Sequence, residues 1–127
     1  MRITESTLSL NVADPGASAR FLIDHLGFSE LMSADGFVSL GHPEAGMSIV
    51  YLRVGLSTFK PASAAGPAGD GLLVAFTVED IDAEYERLRG AGVEIVTPIE
   101  TEEWGERYFQ MRDPNGIILQ LVQWVNR

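Results

Sequence analysis

The sequence predicts an α+β fold built from two copies of one β-α-β-β-β unit, and three observations carry that prediction. Two strands of alternating polarity, Leu8-Ser-Leu-Asn-Val12 and Val74-Ala-Phe-Thr-Val78, each lead into an aspartate, Asp14 and Asp80, which stand 66 positions apart. Each aspartate opens a helical stretch that closes on a glycine, in Leu26-Gly-Phe28 and again in Ala91-Gly-Val93. Three strand-like segments follow each helix, the second set ending on Asp113-Pro-Asn-Gly116 and an apolar strand. A repeated order of elements marks a repeated structural unit. The chain therefore reads as one domain over residues 1–127, with module one at 5–54, a linker at 55–71 and module two at 72–127.

Residues 7–12 set Leu8, Leu10 and Val12 on one face and Thr7, Ser9 and Asn11 on the other, the period-two pattern of a half-buried strand. Asp14-Pro15 then starts a helix, with the aspartate as N-cap and proline in the first turn, where its missing N–H is not needed. Ala17, Phe21, Leu22 and His25-Leu26 form the apolar stripe, and Gly27 ends it. Strands are predicted near 28–33, 36–41 and 47–54, separated by Ala34-Asp-Gly36 and by Gly41-His-Pro-Glu-Ala-Gly46. From Gly55 to Gly71 the periodicity dissolves into a flexible connection, either a plain linker or a mobile loop over a ligand site. The order then repeats. Leu72 to Val78 is a strand, and a helix from Asp80 to Arg89 carries Ile81, Tyr85 and Leu88 before Gly90 or Gly92 stops it. Strands follow at about 93–97, 105–112 and 117–125, with Asp113-Pro-Asn-Gly116 as the last hairpin turn.

A length of 127 residues is enough for one domain with a real core. No apolar run reaches bilayer-spanning length, and Met1-Arg-Ile-Thr-Glu5 has no continuous apolar signal segment, so a cytoplasmic protein with no membrane partner is expected. The absence of cysteine excludes disulfides, thiolate nucleophiles and zinc–thiolate sites. A net charge of −9 argues against nucleic acid, whose phosphates need cationic side chains, and permits a neutral or cationic ligand.

With Leu26-Gly-Phe28 closing the first helix and Trp104-Gly-Glu-Arg-Tyr-Phe109 leading into Asp113-Pro-Asn-Gly116, the two halves resemble the vicinal oxygen chelate superfamily over residues 5 to 125. That superfamily includes glyoxalase I, extradiol dioxygenases, fosfomycin-resistance enzymes and bleomycin-resistance proteins. The resemblance implies paired βαβββ modules whose strands curl into a cupped mixed sheet, commonly in a homodimer that completes each cleft. It also implies that an enzyme of the family would hold a divalent metal at four strand positions. Here those positions fall near Thr7, Tyr51 (with Val50 one position away), Leu73 and Gln120. A hard divalent ion wants several oxygen or imidazole donors, some of them charged, and this set offers one amide and no charge. The two histidines, His25 and His42, fall on a helix end and in a turn. No metal, no other cofactor and no catalytic residue is therefore expected. The closest character is that of the metal-free bleomycin-resistance-type binding proteins.

Strand parity directs Leu8, Leu10, Val12, Val74, Phe76 and Val78 toward the helices. Thr7, Ser9, Asn11, Leu73, Ala75 and Thr77 are then left to line the cup. Ile118, Gln120, Val122 and Trp124 share the parity of the last ligand position, Tyr51 joins from the fourth strand, and Phe37 with Tyr108 or Phe109 lies nearby. A lining rich in aromatic rings with isolated polar groups suits a flat or amphipathic molecule. About half of such positions serve simply as core filler in a sheet of this kind. Trp104, set beside Gly105 among Glu100, Glu102, Glu103 and Glu106, is the strongest single candidate contact. Arg107 either pairs with those carboxylates or orients an acidic ligand group.

The expected function is sequestration of a small molecule, an aromatic or cationic antibiotic or related natural product, by a homodimer. The ligand-binding set is Ser9, Asn11, Phe37, Tyr51, Trp104, Arg107, Tyr108, Phe109, Gln120 and Trp124. The alternative is a lyase, isomerase or dioxygenase-like enzyme of the same superfamily with an atypical metal set or none. A third reading is an interaction module whose cup is filled by its own side chains. No serine or threonine stands in a recognisable nucleophile–base arrangement.

Overall fold

A computed structural model describes residues 1–125. The element order is β1 (Thr7–Val12), α1 (Pro15–Leu26), β2 (Ser29–Ala34), β3 (Phe37–Gly41), β4 (Ser48–Arg53), then β5 (Val74–Thr77), α2 (Ile81–Gly90), β6 (Glu94–Thr101), β7 (Glu106–Arg112) and β8 (Ile118–Trp124). This is an α+β architecture of two βαβββ modules, each with its own four-stranded mixed sheet. The chain divides into compact units at Met1–Ala68 and from Gly69 onward. The last two positions of module two, 126 and 127, lie outside the described residues. Among the described residues no helix is long and apolar enough to cross a membrane.

The two sheets repeat one strand order, β1-β4-β3-β2 in the first and β5-β8-β7-β6 in the second. In each, the opening strand pairs parallel with the last, and the other pairings are antiparallel. Both helices start as the aspartates require: Asp14 accepts from the Ala17 amide at 3.2 Å, and Asp80 from the Ala83 amide at 3.1 Å. Each cap satisfies an amide that the helix itself cannot. Gly27 takes the left-handed conformation, φ 76°, that lets the chain leave α1. The hairpin between β7 and β8 is built by Asp113, whose carboxylate accepts from the Asn115 and Ile117 amides at 2.9 Å each.

Two elements differ from the sequence reading. β6 runs to Thr101 rather than stopping near 97, passing through Pro98 with register shifts on either side of Thr97. Proline removes a ladder donor, which an edge strand with a local irregularity tolerates, and β6 is the edge of its sheet. The segment read as a flexible connection folds back on β1 and is anchored there. The Asn11 side chain donates to the carbonyls of Ala64 (2.9 Å) and Gly66 (3.2 Å), and the Asn11 carbonyl accepts from the Ala68 amide at 2.8 Å. Gly55 closes the base by donating to the Ala65 carbonyl at 2.9 Å. These bonds cover backbone that an edge strand would otherwise expose.

Asn11 is thereby a structural anchor, 8% exposed, with both amide hydrogens used by the linker. Asn11→Leu removes two hydrogen bonds to the linker and is expected to cost about 1–3 kcal/mol, at about 0.5–1.5 kcal/mol for each bond. Urea denaturation reads the change, and limited proteolysis at 55–71 should accelerate with it. A variant as stable and as protease-resistant as the wild type would refute the anchoring role.

Candidate functional site

Directly paired residues of neighbouring strands point to the same face, so register assigns each side chain without further assumption. In module one, Leu10, Tyr51 and Val38 form one cross-strand row, and all three are buried on the face that α1 covers. The opposite face carries the row Ser9, Val50 and Ser39, followed by Asn11, Leu52 and Phe37. Ser9 and Phe37 therefore stand on the face turned away from the helix, as parity demands. Tyr51 does not. It alternates with Ile49 as a fully buried residue of β4, so its ring is core, and Val50 holds the position of the correct parity.

In module two, three contacts identify the helix-facing side of the sheet. Phe109 meets the Tyr85 ring of α2 edge-on, with centroids 4.9 Å apart. Arg107 spans to Asp82 of α2 through two hydrogen bonds (2.6 and 3.2 Å) and donates to Thr101 at 2.8 Å. Gln123 accepts from the Ile81 amide at 3.1 Å, capping the start of α2. Arg107 and Phe109 thus leave the candidate ligand set. Their odd positions on β7 put them under the helix, where Phe109 is fully buried and Arg107 is engaged by Asp82. The hydrogen bonds from Arg107 hold the Asp82 carboxyl below its ordinary pKa.

The face of module two away from α2 carries a continuous run of polar contacts. Thr97 donates to Gln110 Oε1 at 2.6 Å, and Gln110 Nε2 donates to Gln120 Oε1 at 2.8 Å. Gln120 Nε2 donates to Glu106 Oε2 at 3.3 Å, and the indole N–H of Trp104 donates to Glu106 Oε1 at 3.2 Å. The direction of the run follows from its end. A carboxylate accepts and does not donate, so Gln120 must turn its amide nitrogen to Glu106. That leaves the Gln120 oxygen for the Gln110 nitrogen, and the Gln110 oxygen for the Thr97 hydroxyl.

Beside this run, the Tyr108 hydroxyl lies 2.7 Å from Glu100 and 2.9 Å from Glu102. Those two carboxylates, Glu100 first, stabilise the protonated phenol and push its pKa well above the ordinary tyrosine value. Trp104 sits at the tip of the β6–β7 hairpin, 64% exposed. Gly105, at φ 91°, allows the turn, and the Gly105 amide donates back to Glu102 at 2.9 Å. Trp124 faces Glu106 directly across the β7–β8 pairing.

The structure thus brings Trp104, Tyr108, Gln120 and Trp124 onto one face of module two, while Ser9 and Phe37 occupy the corresponding face of module one. Thr97, Gln110 and Glu106 belong with the first group, and sequence reasoning missed them. The alternation of Glu106, Tyr108 and Gln110 on β7 was legible, but only the β7–β8 register puts them on the face of Gln120.

The divalent metal that the resemblance implies does not fit these residues. Leu73 offers only carbon, and Tyr51 lies on the helix side of its sheet. The one atom of Gln120 able to ligate, Oε1, already accepts from Gln110. Among the described residues no three His, Cys, Asp or Glu side chains converge as a metal site.

Comparison with known proteins agrees with this architecture. The family model described as Glyoxalase/Bleomycin resistance protein/Dioxygenase superfamily matches residues 5–121. A glyoxalase/bleomycin resistance protein/dioxygenase from Nocardioides superimposes with a TM-score of 0.79 at 29% identity, covering 99% of this chain and 86% of that one. A lactoylglutathione lyase from Agrobacterium tumefaciens gives 0.76 at 14% identity, over 96% and 94% of the two chains, a likeness of fold alone. An uncharacterized protein of Mycobacterium bovis is 40% identical over 48 residues, so the match spans 38% of this chain and 32% of that relative.

Proposed function

This chain belongs to the Glyoxalase/Bleomycin resistance protein/Dioxygenase superfamily, and from that premise we propose that it is a non-catalytic binding protein that sequesters a flat, amphipathic small molecule of the antibiotic or natural-product kind. One observation carries the reading: a large exposed indole, Trp104, is held in place by a hydrogen bond to Glu106 at the end of a polar run whose members serve one another. An indole N–H fixed to a carboxylate leaves the ring faces for a ligand, and aromatic anchors of this sort dominate binding energies. The Tyr108 hydroxyl on this face is held protonated by Glu100 and Glu102 rather than activated by them. The polar atoms of this face orient rings rather than move protons.

Titration of intrinsic fluorescence with a panel of aromatic and cationic antibiotics tests the proposal. Saturable quenching is expected. Trp104→Ala should weaken the tightest binder by about 30-fold or more, the scale of a binding hot spot. Absence of quenching across the panel would defeat the reading. So would a stoichiometric divalent metal in the purified protein that is lost on substituting Gln120, because that result belongs to an enzyme.

A further inference from the structure

We propose that Glu106, flanked by both tryptophans of the chain, recognises a cationic N–H donor group, an amidinium or a protonated amine, carried on a planar ring. The proposal rests on the binding reading above and names the class of ligand.

The chain contains two tryptophans, one bonded to Glu106 and the other placed opposite it in the strand register. Trp104 donates to Glu106 Oε1 at 3.2 Å, and Trp124 is the residue directly opposite Glu106 in the β7–β8 register, on the same face. Directly opposed side chains on one face stand about 4.5–5.5 Å apart at Cβ, within contact range for an indole and a carboxylate chain. Nothing in strand pairing requires this: Glu106 begins β7 and Trp124 ends β8, positions where a sheet gains little from large side chains.

The direction of the polar run decides the sign of the ligand. Every donor in it points toward Glu106: Thr97 to Gln110, Gln110 to Gln120, Gln120 to Glu106, and Trp104 to Glu106. A carboxylate offers about four acceptor positions, and the run uses two of them. What remains at Glu106 is acceptor capacity beside aromatic rings, which calls for a donor and favours a charged one.

The cations of this sheet do not answer that demand. Arg107 is under α2 with Asp82, and Arg112 pairs with Glu94 at the far end of β7. Six residue steps of extended strand separate Arg112 from Glu106, roughly 20 Å at the usual rise. The nearby Glu100 and Glu102 share the single proton of the Tyr108 hydroxyl and add to the negative field around Glu106.

Benzamidine and benzamide provide a matched test, since they share shape and ring and differ in charge and donor number. Both are titrated by calorimetry and by quenching of tryptophan emission, which here reports only Trp104 and Trp124. The wild type should bind benzamidine about tenfold more tightly than benzamide, the scale of one charge-assisted hydrogen bond, with the preference shrinking as salt rises. Glu106→Gln should bring the ratio to about unity, with urea unfolding like that of the wild type showing that the variant is folded. Gln110→Leu, which interrupts the run without touching a charge, should lower the ratio by an intermediate amount. Equal affinity of the two probes for the wild type would overturn the cation assignment and leave the binding reading standing. Undetectable binding of both would overturn the two together.

Discussion

Phe109→Ala is expected to lower the free energy of unfolding by about 3–5 kcal/mol, the range for deleting a fully buried aromatic ring from a core. The residue is fully buried, pairs with Leu121 across the strand and packs its ring against Tyr85 of α2. Truncation removes apolar surface from that contact and leaves a cavity that a sheet and a helix cannot both close. Small domains carry about 5–15 kcal/mol in total, so the loss is a large share and will be plain in urea denaturation. The neighbouring Tyr108→Phe serves as the contrast. Its ring stays, and only the solvent-exposed hydroxyl shared by Glu100 and Glu102 is lost on the other face, so its unfolding should stay close to that of the wild type. If Phe109→Ala unfolds like the wild type and instead loses ligand affinity, the face assignment of β7 is wrong.

That pair of residues shows what the sequence can and cannot reveal. Alternation, the Asp14 and Asp80 caps and the Asp113 turn are local chemistry, legible from neighbours within four positions, and they specify the repeated β-α-β-β-β order. Parity also placed Gln120, Val122 and Trp124 together, because β8 is regular from end to end. Choosing between Tyr108 and Phe109, or between Val50 and Tyr51, needs the register of the neighbouring strand, which no local pattern encodes. Arg107 posed a harder problem. Its partner, Asp82, lies 25 positions away on a helix, and only the packing of α2 on the sheet brings them together. Asn11 fits the cup-facing pattern of its strand, yet its amide serves a linker whose fold has no sequence periodicity at all.

Gln120→Glu puts a charged oxygen at the last of the four strand positions where the resemblance implies a metal ligand, and it is expected to destabilise the protein rather than prepare a metal site. Gln120 is 6% exposed and presents its amide nitrogen to Glu106. An introduced carboxyl keeps the oxygen that accepts from Gln110 but replaces the donor with a second negative oxygen facing Glu106. Two carboxylates in one poorly hydrated place cannot both ionise cheaply, so one of the pair should hold its proton to higher pH, at a cost to stability near neutrality. The pH dependence has a definite sign. A carboxyl whose folded-state pKa lies above its unfolded value of about 4.3 favours the folded state only while protonated. The variant should therefore approach wild-type stability below about pH 4 and lose it progressively as pH rises through the elevated folded-state value, reaching a plateau near neutrality. Wild type lacks this loss, because an amide at position 120 has no proton to release. Unfolding by urea at a series of pH values measures the difference. A variant as stable as the wild type at pH 7, or one stabilised by added divalent metal, would mean that this face accepts a second charge. The reading of Gln120 as a link in a donor chain ending at Glu106 would then fail.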